Sequence, residues 1–335
     1  MRLILLASAL AAVVSCDVET PGPQAVREPE TVMRANQFQT IGTHNSFKQW
    51  LSEPELALIA AVNPEAARSL EYGHPPIAEQ LAAGARQLEL DPYYDPDGGR
   101  YADPLGPRML ASQGTEVPPF DASELTGAGL KVFHTPDIDY RSHCLTFIAC
   151  LEQVKAWSDA NRDHVPILLM INTKSSGISW DGAVDVLPWN RAAFDLMDQE
   201  ILSVFAREQI ITPDDIAGEG ESLRARVMAR GWPDLEEARG RVIFGIDNGP
   251  ETTALYADGY PSLSGRLAFI NTHADAPEAA YFTMNDPVGD QALIAERVAQ
   301  GFLVRTRADA DTREARSGDT SRLEAALASG AHYIS

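Results

Sequence analysis

The chain has 335 residues, 44% of them hydrophobic and 22% charged, which is enough for one large domain with a full core. Its 48 acidic residues outnumber 27 basic ones, for a net charge of −21. That balance excludes nucleic acid as a partner and disfavours loose attraction to an anionic membrane, so an anionic ligand must be met by locally placed positive groups.

The N-terminus reads as an export signal. After Met1-Arg2, residues 3–14 are apolar but too short to cross a bilayer as a helix. Val13-Val14-Ser15-Cys16 resembles a bacterial lipoprotein cleavage box, in which Cys16 becomes the lipidated first residue; the alternative is an ordinary signal peptide cut near the same point. Residues 1–15 are therefore expected to be a signal peptide. Residues 16–31, polar and Pro-rich, are expected to be a tether, and 32–335 a single domain. The expected location is outside the cytoplasm, held to a membrane by the lipid. Two cysteines remain, Cys144 and Cys150. In an oxidising compartment a disulfide closing this small loop is the natural reading, with two buried free thiols as the alternative.

Beyond the tether, short apolar runs alternate with helical patterns. A strand over 38–42 leads into Thr43-His44-Asn45-Ser46. Helical spacing covers 54–70 and 77–83. A second strand over 85–90 carries Glu89 and is followed by Asp91. Residues 92–129 are irregular and rich in Pro, Gly, Asp and Tyr; so long a loop either covers a substrate or is a surface insertion. A third strand over 130–134 ends at His134, and an amphipathic helix follows over 147–161. Residues 166–172 are almost continuously apolar, as a strand covered on both faces should be, and lead to Asn172-Thr173-Lys174. Trp180 and Trp189 follow, and both are expected to be buried against the barrel, the alternative being exposure to a lipid interface. A helix over 191–208, strands over 242–247, 267–271 and 302–305, a helix over 320–329 and a strand over 331–334 complete the pattern. Eight strands alternating with helices fit a (β/α)8 barrel, although an open doubly wound sheet has the same periodicity.

The residues that carry chemistry cluster at the ends of these strands. Glu89 and Asp91 are two apart on a strand and share a face, so they need a cation or a shared proton. Asn45 adds a neutral oxygen. Such a donor set suits calcium better than magnesium, which demands a stricter octahedron. His44 and His134, each just past an apolar run, fit general acid–base work near neutral pH. Two imidazoles around oxygen ligands suit metal-assisted phosphodiester cleavage. Lys174 offers a point charge to a phosphate, and Arg305 and Arg307, two apart on one face, offer guanidinium forks; the alternative for all three is structural ion pairing with the many acidic residues.

These residues resemble the catalytic domain of phosphoinositide-specific phospholipase C, and more closely its bacterial calcium-dependent group. The resemblance rests on Gly42-Thr43-His44-Asn45-Ser46, Leu88-Glu89-Leu90-Asp91 and Phe133-His134. Ile211-Thr212-Pro213-Asp214-Asp215, Gly231-Trp232-Pro233 and Arg305-Thr306-Arg307-Ala308-Asp309 add to it. It runs from about residue 36 to the end. It implies a distorted TIM barrel with the site at the strand C-termini, acting as a monomer on phosphoinositide or other phosphodiester lipid headgroups. It also implies one calcium ion on Asn45, Glu89, Asp91 and Asn172, where Asn172 stands in place of an acidic ligand. His44 would stabilise charge on the phosphoryl oxygens and His134 would protonate the leaving oxygen. The alternatives are a glycerophosphodiester phosphodiesterase, disfavoured because Asn45-Ser46 rather than Arg-Gly follows the first histidine, and a non-catalytic surface lipoprotein that keeps the fold.

Overall fold

The computed structural model describes residues 32–218 and 220–335; the expected signal peptide, the tether and Cys16 lie outside them. The strands, in chain order, are β1 Thr40–Ile41, β2 Gln87–Leu90, β3 Pro92–Tyr93, β4 Lys131–Val132, β5 Ile167–Ile171, β6 Ile210–Ile211, β7 Val242–Ile246, β8 Ala268–Ile270, β9 Tyr281–Thr283, β10 Leu303–Thr306 and β11 Tyr333–Ile334.

Parallel pairing links β1-β11-β10-β9 in one run and β2-β5-β7-β8 in another. Single parallel bridges, Gly42↔Gln87 and Asn271↔Tyr281, join the two runs at both ends. The eight strands thus close into a distorted parallel barrel, as a TIM-type fold requires. Gly42 permits the first closure: a Cβ there would lie 2.3 Å from Gln87 Oε1. Strand β6 is extra and pairs only with the start of β7.

The barrel count of eight is right, but one member differs from expectation. β2 pairs with β5 along its whole length, from Gln87↔Leu168 to Leu90↔Ile171. No strand fits between them, so 130–134 is not in the barrel. Instead β3 carries the line of β2 onward beside the end of β5, through the Tyr93↔Lys174 bridge, and pairs with β4 in a small antiparallel ladder. The eighth barrel strand is β9, which the sequence pattern did not show. Its three residues follow Ala279-Ala280 and lack the length of an apolar run.

Helices cover the barrel. Phe147–Ala160 buries Phe147, Cys150, Leu151 and Val154 on one face, and Thr146 caps its start by accepting from Ala149 N–H. The helical pattern over 54–70 is divided into Glu53–Ala60 and Pro64–Leu70. Asn63 turns extended there and caps the second helix, with Pro64 at its first position. Trp189 is buried and donates its indole N–H to Pro92 O at 3.2 Å, and Trp180 is half-buried. Residues 92–129 are ordered, with a helix over Leu105–Ser112. They build a satellite core of Tyr93, Tyr101 and Leu125 with Phe133 and Leu145, which buttresses the segment carrying His134. Cys144 and Cys150 form a disulfide.

Candidate active site

The barrel places its chemistry where β1, β2, β5, β7 and β10 end. Glu89 and Asp91 are buried, 1% and 0% exposed. Alternation puts both on the lumen side, and the register Glu89↔Met170↔Gly245 aligns Glu89 with Met170 and Gly245. One step further up, Asp91, Asn172 and Asp247 end three adjacent strands, with Asn172 N–H bonded to Leu90 O and Asp247 N–H to Ile171 O.

Each carboxylate has a cationic neighbour. Arg305 lies 3.1 Å from Glu89, and Lys174 lies 3.1 Å from Asp91. Burial nevertheless pushes the Glu89 carboxyl up to about 8; Arg305 offsets part of this, while Asp91 and Asp247 add to it. Asp91 is likewise raised, by burial first, against the pull of Lys174. Asp91 Oδ1 and Asn45 Oδ1 are buried acceptors with no donor. Among the described residues no group of three His, Cys, Asp or Glu side chains is gathered closely enough to hold a metal by itself. Orphaned oxygens and carboxylates reluctant to ionise still fit an oxygen-seeking cation.

His44 follows β1. Its Nε2 lies 3.5 Å from Glu89 Oε1, and its backbone carbonyl accepts from His74 Nε2 at 2.8 Å. Burial, then Arg307 and Arg305, hold its pKa well below the ordinary imidazole value, so it is neutral at pH 7. Asn45 takes a left-handed φ of 52°, a conformation asparagine tolerates better than most residues. His134 follows β4. Its Nδ1 meets Asp139 Oδ2 at 2.9 Å, and Lys48 Nζ meets Asp139 Oδ1 at 2.9 Å. Burial alone would raise Asp139, but the His134 hydrogen bond and Lys48 hold it low. With Nδ1–H donated to Asp139, His134 keeps Nε2 for a substrate.

A cavity of about 340 Å³ is lined by both histidines with Asn45, Tyr72, Arg307 and Ser335. Arg307 therefore shares the cavity with the histidines. Arg305 is 1% exposed and already engaged by Glu89, Asn285 and Ser335. Four supporting residues escaped sequence reasoning. Asp139 lies on a tight turn closed by the Thr135↔Asp139 bridge, and Lys48 and His74 carry no periodic signal. Asp247 does carry one, because it ends an apolar run as Asn172 does.

The profile of the Ca2+-dependent phosphoinositide phospholipase C family matches residues 33–335. No curated protein sequence matches the chain. Among solved structures, a calcium-dependent phosphoinositol-specific phospholipase C from Pseudomonas sp, in a myoinositol complex, is similar at 16% identity and a TM-score of 0.56, over 90% of this chain and 89% of that one. The Ca2+-dependent phosphatidylinositol-specific phospholipase C from Streptomyces antibioticus is similar at 17% identity and a TM-score of 0.56, over 90% and 94% of the two chains. At these identities the likeness concerns the barrel.

Proposed function

The chain belongs to the Ca2+-dependent phosphoinositide phospholipase C family, and from that premise we propose that it cleaves phosphatidylinositol-type lipids to diacylglycerol and a cyclic inositol phosphate. The observation that carries this reading is the shared cavity: His44 beside Glu89, His134 backed by Asp139, and Arg307 all border one space.

Asn45, Glu89, Asp91 and Asn172 would hold a single calcium ion in preference to magnesium, and Asp247 supplies the negative charge that Asn172 lacks. Bound calcium lowers the pKa of the attacking hydroxyl and offsets charge on the phosphate. His44, neutral with a proton on Nε2, donates to a phosphoryl oxygen. Glu89 or its neighbouring carboxylate accepts the proton of the inositol 2-hydroxyl as its oxygen attacks phosphorus. His134 would act as the imidazolium: with Nδ1–H held by Asp139, it gives its Nε2 proton to the departing glycerol oxygen and is left as the neutral Nδ1–H ring. Lys174, Arg305 and Arg307 supply the positive field a phosphodiester needs in a chain of this acidity. We place the mature protein outside the cytoplasm, anchored through Cys16 and acting as a monomer; the apolar N-terminus and the Cys144–Cys150 disulfide support export.

³¹P NMR of phosphatidylinositol and of glycerophosphocholine, each with the mature protein in calcium and then in chelator, tests the activity. A calcium-dependent cyclic inositol phosphate from the first is expected. Glycerol phosphate from the second, with phosphatidylinositol untouched, would replace this reading with a glycerophosphodiesterase.

A further inference from the structure

Tyr72 has no part in the chemistry above, yet it lines the cavity between the helices Pro64–Leu70 and Ile77–Ala82. Its hydroxyl meets two groups of the site at once, Asn45 Nδ2 at 2.8 Å and His44 Nδ1 at 3.3 Å. A phenol has one proton to give. The Asn45 amide donates into the oxygen, which leaves that proton for His44 Nδ1.

With Nδ1 accepting, the neutral imidazole carries its own proton on Nε2, the atom 3.5 Å from Glu89 Oε1. With Nδ2 committed to Tyr72, the amide turns Oδ1 the other way, where it is buried and without a donor. The reverse allocation would spend Asn45 Oδ1 on the phenolic proton and leave Nδ2, which cannot bind a cation, on the other side. The ring is fixed well enough to enforce the choice. It stacks on His44 at 24° with centroids 6.5 Å apart, meets His74 edge-on at 5.6 Å, and lies 5.0 Å from Lys48 Nζ. Lys48 is itself pinned by Asp139.

We propose that Tyr72 is a positioning residue whose single hydroxyl proton sets both the tautomer of His44 and the side of the Asn45 amide offered to calcium. The second half rests on the calcium reading given above. The first half does not, because it concerns the metal-free protein.

The test is Tyr72→Phe, which keeps the ring and removes the hydroxyl. Long-range ¹H–¹⁵N correlation of histidine-labelled, calcium-free protein at a pH where His44 is neutral reads the tautomer. Nε2–H is expected in the unmodified protein, and a mixture or Nδ1–H in the variant. Calcium titration calorimetry should show affinity weakened by about tenfold, the scale of losing a residue that orients a metal ligand. Asn45→Asp presents oxygen on either side, so in that background Tyr72→Phe should change calcium affinity less than about twofold by the same reasoning. A residue that merely packs would give equal losses in both backgrounds. The proposal is overturned by Nδ1–H on His44 in the unmodified protein, by an unchanged tautomer in the variant, or by a calcium loss that persists beside Asn45→Asp. Unmodified protein that binds no calcium would instead defeat the calcium reading, while the tautomer still decides the role of Tyr72.

Discussion

Glu89 is the residue on which the proposed calcium binding and stability meet. Its carboxyl, ordinarily near 4.5, is pushed up to about 8 by burial. A proton held more tightly in the folded than the unfolded state stabilises fully below 4.5, and that stability is lost as pH rises through 8. A cation competes with the same proton. The rise in melting temperature on adding calcium is therefore expected to grow across this window, and scanning calorimetry with calcium and with chelator at several pH values checks it. A shift that shrinks toward pH 8 would contradict the assignment. At the second histidine, Asp139→Asn should lower kcat by about 10²-fold or more with KM little changed, because the ring loses the acceptor that fixes its tautomer; steady-state kinetics on phosphatidylinositol measures it. Residues at the ends of apolar runs, such as His44, Glu89 and Asp91, were legible because a strand pattern points to its own end. Asp139 and Tyr72 were not. Each acts across a turn or between helices, and only the folded chain brings its oxygen to an imidazole.

At the scale of elements, strand order decides which charges face one another. The direct pairing of β2 with β5 and of β5 with β7 sets Asp91, Asn172 and Asp247 side by side. Asn172→Asp is expected to tighten calcium and Asp247→Asn to weaken it, each by roughly tenfold, the usual range for altering charge at or next to a ligand. Calorimetry reads both, and an Asp247→Asn protein with unchanged affinity would remove Asp247 from the site. The sequence pattern identified seven of the barrel strands and erred on the other. Residues 130–134 look like a strand and end in a histidine, yet the β2–β5 register leaves them no place. Conversely, β9 is too short for periodicity to register and forms because β10 offers it a partner over Leu303↔Tyr281 to Arg305↔Thr283. Short strands gain their identity from neighbours rather than from propensity.

The whole molecule reconciles an acidic chain with an anionic substrate by confinement. Lys174, Arg305 and Arg307 are gathered at one end of the barrel, the first two beside Asp91 and Glu89 and the third on the cavity. Composition showed that such a gathering was necessary but could not show where. The barrel is also unevenly joined. One half, β9-β10-β11-β1, carries Arg305 and leads into His44; the other, β2-β5-β7-β8, carries Glu89 and leads into Asp91, Asn172 and Asp247. Between them run the Gly42↔Gln87 and Asn271↔Tyr281 bridges, the Ser46 N–H bond to Glu89 O and side-chain ties such as Arg305 to Glu89. Anything bound at the mouth grips both halves and acts as a clasp on a hinged ring. Deuterium uptake should therefore slow most at the seam amides, Thr43 N–H bonded to Gln87 O and Arg86 N–H bonded to Ile41 O, when calcium and myo-inositol are added. Amides within β5 and β7 should change little, being protected already. The empty enzyme would breathe along that line, and its substrate would fasten it.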